Sequence, residues 1–291
     1  MDDLAEALGH LPLALGQADS YEPKGVARPL MGLIALLDGS GIPERVLTAE
    51  PVIEYLEEQR PSGGSPASSA HRVRAALAGL HRLSLISRVT SKRRLRPEEQ
   101  EIDTSTVRSH QLIQRATLEH HLTRPSFERV HALADALVSV WPAVERDTSL
   151  AQQLRDNTYA LRKHRTTAGQ RSEDWLWNPD GHPLLFRTGR SLSEAGRVNE
   201  AVVYWTDMLA AADSLLDSDH PHTLIIRHNI AYWTYRAGNT KKGIDHLTEL
   251  ARERRRVLGS DHPETQMSER VLRKWHEELK RQQSGESRKS P

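Results

Sequence analysis

Two pairs of histidines are the residues whose spacing could bind a metal ion. His220 and His222 flank a proline, and His120 and His121 are adjacent. A protein metal site needs three or four ligands at fixed spacing, and the sequence contains no cysteine and no His-Glu-x-x-His motif. We therefore predict no metal site, and the Asp-His-Pro stretch around His220 is better explained as the start of a helix.

Catalytic and phosphate-binding patterns are missing from the sequence. It has no Gly-x-Ser-x-Gly elbow and no Gly-x-x-x-x-Gly-Lys-Ser/Thr loop, whose backbone N–H groups and lysine would hold nucleotide phosphates. The chain begins Met-Asp-Asp, without a signal-type segment, and no apolar run reaches the roughly 20 residues of a membrane span. Without cysteine, a reducing compartment is indicated. We predict a cytoplasmic protein that is not an enzyme and has no cofactor.

A basic run could contact nucleic acid. It comprises Lys92, Arg93, Arg94 and Arg96. A helix predicted over residues 70–83 is also basic, with His71, Arg72, Arg74, His81 and Arg82. Four acidic residues follow the run within residues 98–103, and 40 Lys and Arg are balanced by 39 Asp and Glu. Because nucleic-acid binding rests on a positive surface, a solvated charged loop is favoured here, with DNA binding as the alternative.

Two sequence landmarks recur at one spacing. Residues 216–223 (LDSDHPHT) return as residues 258–265 (LGSDHPET), 42 positions later. An Ala-Gly pair at residues 195–196 returns at residues 237–238, again after 42 positions. Two independent landmarks at one period indicate an internal repeat.

Each repeat is predicted to be a helical hairpin. Its first helix in the second repeat covers residues 221–237, with Asp219 as the N-cap and Gly238 ending the helix. Small residues are expected where helices meet closely, namely Gly189, Ala201, Ala231 and Gly243. A third repeat begins at Pro263, lacks the Ala-Gly turn and continues as a polar helix suited to capping the array.

The Asp-His-Pro-x-Thr landmark, the His-Asn-Ile-Ala run at residues 228–231 and the 42-residue period resemble tetratricopeptide repeats of the kinesin-light-chain type. The resemblance implies stacked hairpins whose first helices line a groove for a protein or peptide partner. It places eight side chains in that groove: Arg187, Arg190, Ser193, His228, Asn229, Tyr232, Tyr235 and Arg236. The candidate binding site consists of six of them, leaving out Ser193 and Tyr235. Arginine, aromatic and amide side chains are suited to anchoring a peptide. The alternative, that they only solvate an exposed helix face, stays open.

Residues 8–15 (LGHLPLAL) resemble the Gly-Leu-Pro-Leu-Ala-Leu segment of NB-ARC ATPases, and residues 28–121 resemble the winged-helix element that follows it. Residues 182–196 are similar to the opening of the repeat array in large actinobacterial NB-ARC proteins. The resemblance implies that Pro12 lies near an adenine, and that His110, in a Ser-His-Gln that replaces the family's Met-His-Asp, faces the phosphates. Because the phosphate loop is missing, we interpret both positions as vestigial and predict no useful nucleotide affinity.

The predicted fold is mainly α: a winged-helix domain followed by a short tetratricopeptide-like array of α-helical hairpins. The predicted boundaries are 1–22 for a residual NB-ARC helical segment, 23–123 for the winged-helix-like domain, 124–168 for a linking helical hairpin, 169–281 for the repeats with their capping helix, and 282–291 for a disordered tail. Only 37% of the residues are hydrophobic, which fits a thin helical array.

We expect a non-catalytic interaction or scaffold protein, or a fragment of a signalling regulator, that acts through its repeats on a protein or peptide partner. Self-association stays open, a membrane is not expected, and nucleic acid is not favoured. Two alternative functions also stay open. One is a winged-helix transcriptional regulator that binds DNA, and the other is a vestigial ADP-binding NB-ARC regulator.

Overall fold

A computed structural model describes residues 25–59, 69–90, 92–93, 102–119, 125–165 and 169–286 of the chain. The described chain is mainly helical, with a few short strands. It divides between Thr188 and Gly189 into two compact units. No helix in these ranges is both long enough and apolar enough to cross a bilayer.

The first unit begins with helices and short strands in alternation. They are α1 (Ala27–Ile34), β1 (Ile42–Pro43), α2 (Glu44–Leu47), α3 (Glu50–Glu58) and α4 (Ser69–Arg82), followed by β2 (Ser87–Val89), β3 (Lys92–Arg93), β4 (Ile102–Asp103) and β5 (Thr106–Arg108). β5 lies between β1 and β2 in an antiparallel sheet, with Val107 opposite both Ile42 and Arg88. β3 and β4 pair with each other. The predicted basic helix is therefore α4, whereas Arg94 and Arg96 of the basic run lie outside the described residues.

Four helices follow in the first unit: α5 (Gln111–Glu119), α6 (Phe127–Val140), α7 (Thr148–Lys163) and the single turn α8 (Ser172–Trp175). α6 packs against α3, and α7 packs against β1. The side-chain amide of Asn157 on α7 donates to the carbonyl of Gly41 at 2.9 Å, and its oxygen accepts from the N–H of Asp38 at 3.1 Å. The helices of the segment predicted to be a linking hairpin thus pack into the first unit.

Apolar burial holds the helices of this unit together. α1 packs against α4 and α5, and Leu30, Leu33 and Ile34 of α1 are fully buried. Leu77 and Leu80 of α4 are fully buried as well. Each such side chain contributes about 1.5–3 kcal/mol relative to leaving it in water.

The second unit is built from helical hairpins, as the repeat predicted. Its elements are the end of α9 (Pro183–Glu194, which spans the division between the units), α10 (Val198–Leu215), α11 (Pro221–Arg236), α12 (Thr240–Leu258) and α13 (Pro263–Glu286). Gly196 and Gly238 end α9 and α11 with φ of +69° and +90°, a left-handed conformation that glycine adopts without a Cβ clash. The Ala-Gly landmark is therefore a turn signal. The predicted third repeat is the long helix α13.

Histidine, and not the predicted Asp219, caps α11. His220 Nδ1 accepts the N–H of His222 at 3.2 Å, while Asp219 forms an ion pair with Arg256 of α12. The same contact starts two other helices, because His182 Nδ1 accepts from Leu184 N at 3.1 Å and His262 Nδ1 accepts from Glu264 N at 3.2 Å. Each of the three histidines precedes a proline, which suits the first helical position because it has no N–H to satisfy.

The predicted small residues do lie where helices approach closely. A Cβ on Gly189 would lie 2.3 Å from the Trp205 ring, and a Cβ on Gly243 would lie 2.8 Å from the backbone of Tyr235. Ala201 and Ala231 are fully buried. A core cluster between α11, α12 and α13 contains Leu224, Ala231, Ile244, Leu247, Leu250 and Trp275.

Candidate protein-interaction surface

One side of α11 is partly exposed to solvent and carries three of the predicted groove residues. Ile225, Asn229, Tyr232 and Arg236 are spaced four, three and four residues apart, which places them on one helical stripe. Leu224, Ile226, Ile230 and Ala231 are buried on the other sides of the helix. We call the stripe of Ile225, Asn229, Tyr232 and Arg236 the α11 face.

The side chains of the α11 face offer different contacts. Asn229 Nδ2 donates to the carbonyl of Ile225 at 2.9 Å, which leaves its Oδ1 as an acceptor for an N–H. The Tyr232 ring lies edge-on to Trp233 and 6.3 Å from Trp275, and is only partly buried. Arg236 is exposed and forms no ion pair with any carboxylate of the described residues. The face therefore combines an amide, an aromatic ring and a cation.

The first helix of the following repeat, α13, carries a partly exposed stripe at the equivalent positions. Met267, Val271, Lys274 and Glu278 of α13 lie 42 residues after the four members of the α11 face. Ile225 and Met267, which are equivalent, are both large apolar side chains with 40% and 48% of their surface exposed. Glu278 accepts the Tyr235 hydroxyl at 2.6 Å and lies 3.9 Å from Lys274.

Two predicted groove residues have different roles from the ones the resemblance implied. Arg187 donates to the carbonyl of Pro142 at 2.8 Å, pairs with the buried Glu145 at 3.1 Å and lies over the Trp141 ring, all within the first unit. His228 lies one residue before Asn229, a rotation of about 100° along the helix, and its ring is largely buried. Arg190 is exposed and pairs with Glu194 at 3.1 Å.

The environment of His228 disfavours its charged form. Burial lowers the pKa of His228, and the positive charge of Arg254 lowers it further. Arg254 is itself only 2% exposed; it donates to Ser268 at 2.7 Å and pairs with Glu264 at 2.9 Å. These bonds link α12 to α13, and His228 of α11 lies close enough to sense the charges of Arg254 and Glu264. His228 therefore lies at the packing contact between these helices and not on the α11 face.

An aromatic contact that sequence reasoning missed also joins α11 to α13. The rings of Tyr235 and Trp275 stack in parallel at 4.0 Å, and the Tyr235 hydroxyl donates to Glu278. Burial and this carboxylate raise the pKa of Tyr235 to about 12. The available signal was Trp275 itself, which lies 42 residues after Trp233 and so occupies the same repeat position.

The residues implied to contact a nucleotide are only partly described. Pro12 lies outside the described residues. His110 is exposed at the start of α5, where its Nδ1 accepts the N–H of Leu112 at 3.2 Å, and it lines an open cavity of about 700 Å³ in the first unit. Gln114, at the same cavity, donates to the carbonyls of Ile34 and Leu37 at 3.0 and 2.9 Å. His110 therefore caps a helix.

Residues 223–264 match the family model for the tetratricopeptide repeat. The matched stretch runs from the first turn of α11 through α12 to the start of α13, so the chain contains a tetratricopeptide repeat. No curated protein and no solved structure shows significant similarity to the chain. Repeats of this kind generally mediate protein–protein contacts and are generally not catalytic.

Proposed function

We propose that this protein is a non-catalytic interaction or scaffold protein whose α11 face binds a protein or peptide partner. The observation that carries the proposal is the partly exposed stripe of an amide, a tyrosine and an arginine on the first helix of a tetratricopeptide hairpin, the arginine having no ion pair among the described residues. In such a hairpin the second helix, here α12, packs against the first helix and leaves the α11 face free for a partner. The partner contacts are then made by Asn229, Tyr232 and Arg236.

The chemistry of the α11 face suits a segment of polypeptide. Asn229 Oδ1 is placed to accept a backbone N–H, Tyr232 supplies apolar area with a polar tip, and Arg236 presents a planar fork to a carboxylate or carbonyl. The equivalent positions Ile225 and Met267 add an exposed apolar side chain on each of α11 and α13. So short an array buries little area, so we expect micromolar or weaker affinity unless several copies act together.

We also propose that this chain is related to the C-terminal half of an NB-ARC signalling regulator, and the first unit supports this proposal. Its element order supports assignment as a winged-helix domain. Helices α1 to α4 alternate with or precede a three-stranded sheet of β1, β5 and β2, and β3 and β4 form a separate two-stranded ribbon. We propose that this domain serves as a platform for the repeats. A cytoplasmic location and the loss of nucleotide binding belong to the same proposal.

A specific observation keeps DNA binding as a second candidate. α4 contains no acidic residue, and its exposed positions include His71, Arg74 and Arg82. A basic helix next to a small sheet is the part of a winged-helix protein that enters the major groove. Fluorescence anisotropy with a duplex of about 20 base pairs tests this candidate, which requires affinity to fall steeply between about 50 and 200 mM salt and to be lost in Arg74→Ala/Arg82→Ala.

A two-hybrid or affinity-capture screen with the full chain tests the main proposal. The test variant is Asn229→Ala/Arg236→Ala, because neither side chain supports the core. The matched control is Asn199→Ala/Arg252→Ala, which removes one amide and one guanidinium from exposed positions of α10 and α12. Partners that bind the parent and the control but not the test variant support the α11 face. Partners that bind all three place the interaction elsewhere.

A further inference from the structure

A second cavity in the repeat unit lies on the other side of α11 from the α11 face. Its α11 residues, Arg227 and Ile230, each lie two positions before a member of that face, a rotation of about 200° along the helix. α10 contributes Leu209 to its lining, and α12 contributes His246, Glu249, Leu250 and Glu253. The cavity measures about 280 Å³. We call it the outer cavity.

The floor of the outer cavity is apolar. Ile230 and Leu250 are 7% and 1% exposed, and Leu209 of α10 is half-buried beside them. A drug-sized ligand needs about 300–1,000 Å³, so this space accommodates a single side chain. An unbranched chain of methylene groups would cover such a floor and remove it from water.

The rim of the outer cavity carries an excess of carboxylates. Arg227 donates to both oxygens of Glu253 at 2.6 Å and lies 3.6 Å from Asp213, so its charge is already compensated. Glu249 also lines the rim, is exposed and forms no hydrogen bond or ion pair within the described ranges. His246 completes the rim, and burial, followed by the nearby Lys242, lowers its pKa, which favours the neutral ring.

The charges at the rim also act on Arg227. Burial works against its charged form, yet the hydrogen bond to Glu253 and the charges of Glu253, Asp213 and Glu249 together raise its pKa. A cation at the mouth of the outer cavity is thus stabilised even where water is partly excluded. An incoming anion would meet three carboxylates and a single, already paired guanidinium.

We infer that the outer cavity binds a lysine or arginine side chain of a protein partner. The methylene groups lie over Ile230 and Leu250, and the cationic head pairs with Glu249. This contact is separate from the α11 face. It gives the repeat unit two docking sites on opposite sides, so that a partner held at the α11 face and one held at the outer cavity do not compete.

Methyl NMR of the full chain tests the inference with two small probes. The first is Nα-acetyl-lysine methylamide, and the second is Nα-acetyl-norleucine methylamide, which has a similar alkyl chain without the ammonium group. We expect the methyl signals of Leu209, Ile230 and Leu250 to shift saturably with the lysine probe, with a Kd in the millimolar range, and several-fold less with norleucine. Glu249→Gln should weaken the lysine effect several-fold.

Matched variants separate this site from the α11 face. Glu277→Gln, on the exposed side of α13, should leave binding of the lysine probe unchanged, as should Asn229→Ala/Arg236→Ala. Equal shifts with both probes, shifts centred on Ile225, or no saturable shift would each overturn the inference. None of these outcomes depends on whether the α11 face binds its own partner.

Discussion

α11 and α13 occupy the same place in successive repeats, but among the described residues only α11 has a further helix packed on its side towards the end of the array. Its side towards the end of the array consists of Leu224, His228, Ala231 and Tyr235, which contact α12 and α13. The residues 42 positions later in α13 are Gln266, Arg270, Arg273 and Glu277, and all four are exposed. The repeat sets where each helix begins, whereas the residues on this side decide whether a further hairpin can pack there.

The largest loss of stability is expected for a variant that removes the aromatic contact between α11 and α13. Trp275→Ala removes the ring stacked on Tyr235 and leaves a hole in the core cluster, so we expect a loss of about 3–5 kcal/mol in the free energy of unfolding. Trp233→Ala, at the equivalent position of α11 but only half-buried, should cost clearly less. Urea denaturation followed by circular dichroism measures both variants, and equal losses would contradict the comparison.

A second variant pair overfills equivalent positions. Ala231→Leu forces a larger side chain between α11 and α12 and should cost about 1–3 kcal/mol. Arg273→Leu places the same side chain on the uncovered side of α13, where we expect a change within about 0.5 kcal/mol. Thermal unfolding of the two variants distinguishes the positions. A clear drop in Tm for Arg273→Leu would mean that this side of α13 is packed.

Acid should destabilise α11 through His228. Because burial and Arg254 hold the pKa of His228 below its ordinary value of 6.5, the unfolded chain takes up the proton first as the pH falls. The stability that neutral His228 contributes is present above pH 6.5 and decreases below it. His228→Gln should reduce the slope of the unfolding free energy against pH between about pH 7 and about pH 5. Some slope should remain, because the pKa of His246 is lowered as well. An unchanged slope would show that His228 titrates normally.

The smallest loss of stability is expected for variants that remove the histidine caps of α11 and α13, and the two losses should be similar. His220→Ala and His262→Ala each remove a ring nitrogen that accepts an N–H in the first helical turn. Loss of such a cap typically costs about 0.5–2 kcal/mol. Similar losses in the two variants would show that the helix start is repeated even though the packing is not. If only one variant loses stability, the two caps are not equivalent.

Features that depend on neighbouring residues could be predicted from the sequence. The turns at Gly196 and Gly238 and the helix starts at Pro221 and Pro263 follow from residue types and one repeat period. The side chain that caps α11 was assigned to Asp219 because acidic N-caps are common, yet a histidine before proline brings its own acceptor to the same place.

Features that depend on distant residues could not be predicted. Arg187 pairs with Glu145, 42 residues earlier in the chain but outside the repeat, and no pattern in the sequence joins them. His228 and Asn229 are neighbours in sequence, yet only the packing of α12 and α13 reveals that the His228 ring lies near Arg254 and Glu264 while Asn229 lies on the α11 face. The outer cavity is likewise formed by three helices, and its lining residues have no common spacing.

We propose that the α11 face is the partner-binding surface, and one titration checks this claim. For a partner recovered with the parent chain, calorimetry would give the Kd for the parent, for Asn229→Ala/Arg236→Ala and for the matched control Asn199→Ala/Arg252→Ala. We predict a micromolar or weaker Kd for the parent, a loss of about tenfold or more, which is about 1.4 kcal/mol, for the test variant, and no change for the control. Equal affinities for the parent and the test variant would contradict the claim.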